Sequence, residues 1–260
     1  MADHILSARH VSVLDGFAAS NVLLAFDYDG TLAPIASSPA GARMRPRTRR
    51  LLAQVTRRYP CVVISGRPLD QLTRKLHRIP VWHLYGNHGF EPSAGTERHA
   101  AWVRDWVDRL SRQLLPHEGL VIENKKYTVT VHYRHVRNKR RAVEAIRAAV
   151  RRLPHARVTG GEEALNLLPR GGPNKGVALR QAQRLFACET AIYVGDDDTD
   201  EDAFASGPAD RLLSIRVGTR RDSWARYRLR SQRDIDALLQ RLVDLRAIRF
   251  RTPPPVDTFW

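Results

Sequence analysis

Two acids spaced two apart, Asp27 and Asp29, sit in Asp27-Tyr28-Asp29-Gly30-Thr31, directly behind the apolar run Val22–Phe26. Paired carboxylates at a turn can share a cation, attack an electrophile or move a proton; the same residues also suit an ordinary Asx-capped turn. A denser acidic stretch, Gly195-Asp196-Asp197-Asp198-Thr199-Asp200-Glu201-Asp202, follows the apolar Ala191-Ile192-Tyr193-Val194. Such a run is ordinarily a solvated face. At the end of a buried strand, however, its carboxylates repel one another unless a cation holds them, and all-oxygen donors select Mg²⁺ over softer metals. After Cys61–Ile64, Ser65-Gly66-Arg67 presents a hydroxyl and a guanidinium on a glycine turn, both suited to phosphate oxygens. Lys175, in Pro173-Asn174-Lys175-Gly176, opens a predicted helix, where a cation opposes the helix dipole. An anion held jointly by the ammonium and the helix amides accounts for it, in a chain with 5 Lys against 38 Arg.

These residues need a scaffold that brings them to one edge. Apolar runs of strand length lie at Val22–Phe26, Cys61–Ile64, Trp82–Tyr85, Ala191–Val194 and Leu212–Val217, none strictly alternating. That pattern predicts strands buried on both faces of a parallel sheet. Helix-period segments between them, Arg47–Arg58 with Leu51, Leu52 and Val55 on one face, and Leu69–Leu76, predict a doubly wound α/β core. In open sheets of this kind ligands bind beyond the carboxyl ends of the strands, where the acids, Ser65 and Lys175 are expected to meet.

Between Phe90 and Gly171 the pattern changes. Trp102, Val103, Trp106, Val107, Leu110 and Leu114 form one helical stripe, and Val143, Ile146, Val150 and Leu153 another. Thr128–Arg134 alternates, with Val129, Val131 and Tyr133 on one side. Gly160-Gly161 and Gly171-Gly172-Pro173 read as turns. The expected organisation is a core of residues 1–91 and 170–260 with an α+β unit inserted at 92–169, and an irregular tail at Arg251–Trp260. Within the insert, Glu123 and Lys125 share a strand face, as do His132 and Arg134; paired as a hairpin they line one surface, which is either a solvated sheet face or a site for a hydroxyl-rich ligand.

The 260 residues are 43% hydrophobic, enough for one large core or two modest ones. The apolar segments are too short to span a bilayer and the start lacks a secretory pattern, so a cytoplasmic protein is expected. Cys61 and Cys188 read as buried thiols. A net charge of +16 would ordinarily suggest nucleic acid, but the arginines are scattered along the whole chain. The expectation is no nucleic-acid or membrane partner, and a positive field that steers anionic phosphates; oligomeric state is left open.

In the order DYDGT, SGR, NKG and GDDDTDED, the motifs resemble those of the haloacid dehalogenase-like (HAD) phosphatases. Gly86-Asn87-His88-Gly89-Phe90-Glu91, Glu123-Asn124-Lys125 and His132-Tyr133-Arg134 resemble the trehalose-6-phosphate phosphatase family more specifically, over roughly Asn21 to Val243. The resemblance implies a Rossmann-like HAD core with an inserted α+β cap. It implies Asp27 as nucleophile, Asp29 as acid and base, Mg²⁺ on Asp27, the Asp29 carbonyl, Asp196 and Asp200, and phosphate held by Ser65, Gly66, Arg67 and Lys175. Asn87, His88, Glu123, Lys125, His132, Arg134 and Asn166 would face the sugar. One departure is Asn166-Leu167-Leu168-Pro169, where the family carries Glu-x-Arg-Pro; Glu162 or Glu163 could compensate. Sucrose 6-phosphate and glucosylglycerol phosphate therefore remain alternative substrates, and a non-catalytic sugar-phosphate sensor an alternative class.

Overall fold

The computed structural model describes residues 2–36, 41–92, 97–114, 118–161, 163–220 and 222–246; the tail expected to be irregular lies outside them. A seven-stranded sheet has the order β1-β11-β10-β9-β2-β3-β4, every neighbouring pair parallel. Its strands are β1 (Asp3–His4), β2 (Val22–Phe26), β3 (Cys61–Ile64), β4 (His83–Tyr85), β9 (Thr190–Gly195), β10 (Leu212–Val217) and β11 (Tyr227–Leu229).

The non-alternating apolar runs have the reason anticipated. In β2, Val22, Leu24 and Phe26 pack on one side with α1 (Val11–Ala19), α2 (Pro46–Val55) and α8 (Ile235–Leu245). Leu23 and Ala25 pack on the other with α6 (Lys175–Leu185) and α7 (Glu201–Phe204). Helices therefore cover both faces, and α3 (Leu69–Lys75) follows β3. The doubly wound core holds as expected.

A second, four-stranded antiparallel sheet has the order β5-β6-β8-β7, from β5 (Val121–Asn124), β6 (Val129–His132), β7 (Ala156–Gly161) and β8 (Ala164–Pro169). Period-2 alternation divides it cleanly. Val129, Val131, Leu165 and Leu167 are buried against α4 (Glu97–Leu114) and α5 (Lys139–Val150) through Val103, Trp106, Leu110 and Ile146. The register Glu123↔Thr130↔Asn166↔Thr159 puts these polar residues together on the opposite face. Gly160 and Gly161, read from sequence as a turn, instead end β7: the turn begins after them, and the missing side chains allow a close backbone approach described below. Gly171, at φ +71°, does make the turn that returns the chain to the parallel layer. No helix among the described residues is long and apolar enough to cross a membrane.

Candidate active site

The carboxyl ends of β2, β3 and β9 and the start of α6 converge on one cleft of about 670 Å³, roofed by the polar face of the antiparallel sheet. Asp27 is buried just past β2, its N–H donating to Val194 O at 2.9 Å. The chain then turns sharply: Gly30 has φ +78°, and a Cβ there would stand 2.0 Å from Asp196 Oδ2. Only glycine lets the two acidic loops come this close. Thr31 Oγ1 donates to Asp196 Oδ1 at 2.9 Å.

Lys175 is fully buried and lies between two acids, Nζ being 3.0 Å from Asp27 Oδ1 and 2.7 Å from Asp200 Oδ1. Local sequence places it there: Asn174 caps α6 by accepting the Val177 N–H at 2.9 Å, and Lys175 is the first helical residue. Asp200 is held from every side, with Tyr193 Oη donating to Oδ1 at 2.6 Å and the Asp196 and Asp197 N–H groups donating to Oδ2 at 2.9 and 2.8 Å.

Asp27, Asp196 and Asp200 each offer a carboxylate oxygen within 4.8 Å of the others. Burial first, then neighbouring acids, push Asp27 up to about 8 against the pull of Lys175, and push Asp196 well above the carboxylate range. Three clustered oxygen donors, two of them, Asp27 and Asp196, disfavoured as carboxylates by burial and neighbouring acids, fit a hard divalent cation, which would reverse both effects.

Asp29 and Arg67 both line the cleft. The Arg67 guanidinium makes a two-pronged pair with Asp29, Nε to Oδ2 at 2.7 Å and Nη2 to Oδ1 at 2.6 Å, an arrangement the sequence did not indicate. Ser65 and Gly66 line the cleft floor as expected. The His88 ring lies against Gly66, where a Cβ would stand 2.4 Å from its Cε1. Burial, then the Lys175, Lys125 and Arg157 charges, hold His88 well below its ordinary value, so it is neutral, and neither ring nitrogen has a hydrogen-bond partner among the described residues.

Asn87 does not line the cleft. Its Nδ2 donates to Glu91 Oε2 and Lys125 O, both at 2.9 Å, and its Oδ1 accepts from Thr128 Oγ1 at 3.0 Å. These bonds use both N–H donors and pin the loop after β4 to the β5–β6 turn.

On the roof, Glu123 Oε2 is 2.9 Å from His132 Nε2 and 3.6 Å from Lys125 Nζ. Burial raises the Glu123 carboxyl, but the His132 hydrogen bond and the Lys125 charge outweigh it and hold the group ionised. Lys125 also donates to Gly66 O at 3.3 Å, joining roof to floor. Asn166 lines the cleft, accepting from Thr130 Oγ1 at 2.8 Å and donating to Gly160 O at 3.3 Å. Arg134 lines the cleft but is engaged, with Nε to Glu163 Oε2 at 2.9 Å and Nη1 to Ala36 O at 2.8 Å. Glu163 is tied to Arg134 and Lys139 and is not among the residues lining the cleft; Glu162 lies outside the described residues.

Thr31, Thr130 and Tyr193 were missed from sequence. Tyr193 carried a signal, being the one hydroxyl in the apolar run Ala191–Val194 that ends at the acidic loop.

Comparison with known proteins agrees with this geometry. A family model described as trehalose-phosphatase matches residues 25–232. The trehalose-phosphate phosphatase of Mycobacterium tuberculosis is 35% identical over 211 residues, 75% of this chain and 53% of that protein. The chain thus spans about half the length of these mycobacterial relatives. A probable trehalose-phosphate phosphatase D of Arabidopsis thaliana is 28% identical over 279 residues, 94% of this chain and 75% of that one. In fold, the C-terminal domain of a C. albicans trehalose-6-phosphate phosphatase superposes with a TM-score of 0.79 at 21% identity, covering 95% of this chain and all of that one. The matched segment runs from β2 through both sheets to the turn before α8, and on that extent the chain belongs to the trehalose-phosphatase family.

Proposed function

We propose that this chain is a Mg²⁺-dependent phosphomonoester hydrolase that converts trehalose 6-phosphate to trehalose and inorganic phosphate, a step of trehalose biosynthesis. The observation that carries the reading is the convergence of Asp27, Lys175 and Asp196 on a cleft floor, with buried Asp200 bound to Lys175, beneath a roof bearing Glu123, Lys125, His132 and Asn166. In this reading residues 92–169 are the cap, and 1–91 with 170–260 the hydrolase core.

Asp27 attacks phosphorus in line; the bond from phosphorus to the sugar oxygen breaks and an aspartyl phosphate forms. Asp29 gives its proton to the departing oxygen, then takes one from the water that cleaves the aspartyl phosphate. Arg67 is shared: its fork orients Asp29 and turns toward the phosphate dianion as the ester enters, releasing the carboxyl for proton transfer. Ser65, the Gly66 backbone and Lys175 hold the phosphoryl oxygens. Asp27, the Asp29 carbonyl, Asp196 and Asp200 would hold Mg²⁺, which neutralises charge on the transferring group when bound.

A disaccharide offers hydroxyls in place of charges, and Glu123, paired with His132 and Lys125, accepts from two of them when it reorients. Glu123→Gln is expected to raise KM for trehalose 6-phosphate about tenfold with kcat little changed, the loss of one charge-assisted hydrogen bond. Steady-state kinetics with p-nitrophenyl phosphate, which reaches the floor but not the roof, should be unaffected.

The deciding test is phosphate release with Mg²⁺ from trehalose 6-phosphate, sucrose 6-phosphate, glucosylglycerol phosphate and simple hexose phosphates. Trehalose 6-phosphate is expected to have the highest kcat/KM; a lower rank for it refutes the substrate assignment and leaves the phosphatase chemistry standing.

A further inference from the structure

One ion pair between the two layers joins side chains that do not line the cleft. Arg157, in β7, places Nη1 3.0 Å from Asp202 Oδ1, and its Nη2 donates to Oδ2. Asp202 lies in α7, two residues beyond Asp200. Its carbonyl packs so tightly on α6 that a Cβ on Gly176, the neighbour of Lys175, would stand 2.2 Å from the oxygen. Alongside, β7 crosses Asp198 so closely that a Cβ on Gly160 would be 2.2 Å from Asp198 Oδ2. The edge strand of the antiparallel sheet therefore rests on the turn that carries Asp200.

We propose that Arg157 and Asp202 couple the seating of the antiparallel layer to cation occupancy of the Asp27, Asp196 and Asp200 site. The inference rests on the cation-dependent reading above and is independent of which sugar the enzyme takes. Asp200 is hydrogen-bonded through both oxygens to Lys175, Tyr193 and the Asp196 and Asp197 amides. A cation drawing on that carboxylate fixes the whole turn from Asp198 to Phe204, and Asp198 and Asp202 are fixed with it. A seated β7 holds the same turn through Arg157 and Gly160. Two binding events that favour one arrangement of a shared element strengthen each other by an equal factor. Arg157 lies outside the cleft lining and outside the Asp27, Asp196 and Asp200 cluster; it is a positioning residue.

The sign of one measurement separates coupling from simple electrostatics. Deleting a positive charge near an acidic site raises cation affinity on Coulombic grounds alone, whereas loss of coupling lowers it.

The experiment uses the full chain with spin labels at A148C on α5 and R50C on α2, both exposed positions, the native Cys61 and Cys188 being buried. Label-to-label distances are recorded with and without Mg²⁺, and Mg²⁺ affinity by titration calorimetry. Mg²⁺ is expected to narrow the distance distribution of the labelled parent. R157A should stay broad with Mg²⁺ present and bind it about fivefold or more weakly, the lower end of ordinary coupling. R157K, which keeps the charge but not the two-pronged geometry, should recover part of both, and guards against a misfolded R157A. Equal or tighter Mg²⁺ binding by R157A, or a parent distribution that ignores Mg²⁺, overturns the coupling alone. A parent that binds no Mg²⁺ overturns the cation reading as well.

Discussion

Asp27→Asn is expected to abolish turnover, by about 10⁴-fold or more in kcat, while leaving the fold as stable as the parent or more so. The amide has the size of the carboxylate and lacks its nucleophilic oxygen, so the first displacement has no attacking group. Stability should move the other way because of what surrounds the group. Burial, with Asp200 and Asp29 adding and Lys175 opposing, raises Asp27 from 3.8 to about 8. Between those values the native state keeps a proton that the unfolded chain releases, so this group makes the parent lose stability as pH rises from about 4 to about 8. The Asn variant carries no such contribution. With divalent ions chelated, thermal melts across that window should therefore fall less steeply for the variant than for the parent. Activity retained by the variant would end the covalent mechanism, and parallel melting slopes would end the account of Asp27.

Lys175→Met should cost both activity and stability. The ammonium is the single cation bonded to Asp27 and Asp200 among the described residues, and burial around it is complete. Removing one partner from a buried ionic network costs about 3–5 kcal/mol, since the remaining charges stay desolvated and uncompensated. For a chain of this size that is a melting temperature lower by about 10 °C. Loss of a donor to the transferring phosphoryl group should lower kcat by about 10²–10³-fold. Mg²⁺ should restore part of the stability, by placing positive charge among the same acids, without restoring the rate. Calorimetric melts with and without Mg²⁺, beside steady-state kinetics, check both halves.

The parts of the molecule legible in its sequence are those where one physical demand dominates. β2, β3 and β10 have the bounds read from their apolar runs, because a strand covered on both faces is predominantly apolar, with Ser214 and Arg216 the exceptions in β10. In the antiparallel sheet, β6 was readable from the alternation of Val129, Thr130, Val131 and His132. β1, β11 and α1 were not anticipated: β1 and β11 are two and three residues long, too short to show a period, and β1 exists through its pairing with β11.

In the cleft, Asp27, Ser65, Asp196 and Lys175 could be found because strand ends and a helix start place them irrespective of side-chain conformation. Partner choice was illegible. Whether Arg67 meets a phosphate or Asp29, and whether Asn87 faces a ligand or the β5–β6 turn, depends on shifts of a few ångströms between loops distant in sequence. Gly160-Gly161 misled for a related reason: glycine marks a turn and a close approach equally well, and the approach to Asp198 is a tertiary fact.

The alternating burial of the antiparallel sheet has a consequence for divergence. Val129, Val131, Leu165 and Leu167 anchor the sheet to its helices, while Thr130, His132, Ala164 and Asn166, interleaved with them along the same two strands, face the cleft. The positions that hold the sheet together and those that meet a ligand are therefore different residues, and drift can rewrite one set without eroding the other. Among the described residues, the Asn166 side chain has two hydrogen-bond partners to keep satisfied, Thr130 and Gly160. A layer built this way can change the groups it presents to the cleft by single substitutions at little cost to foldedness.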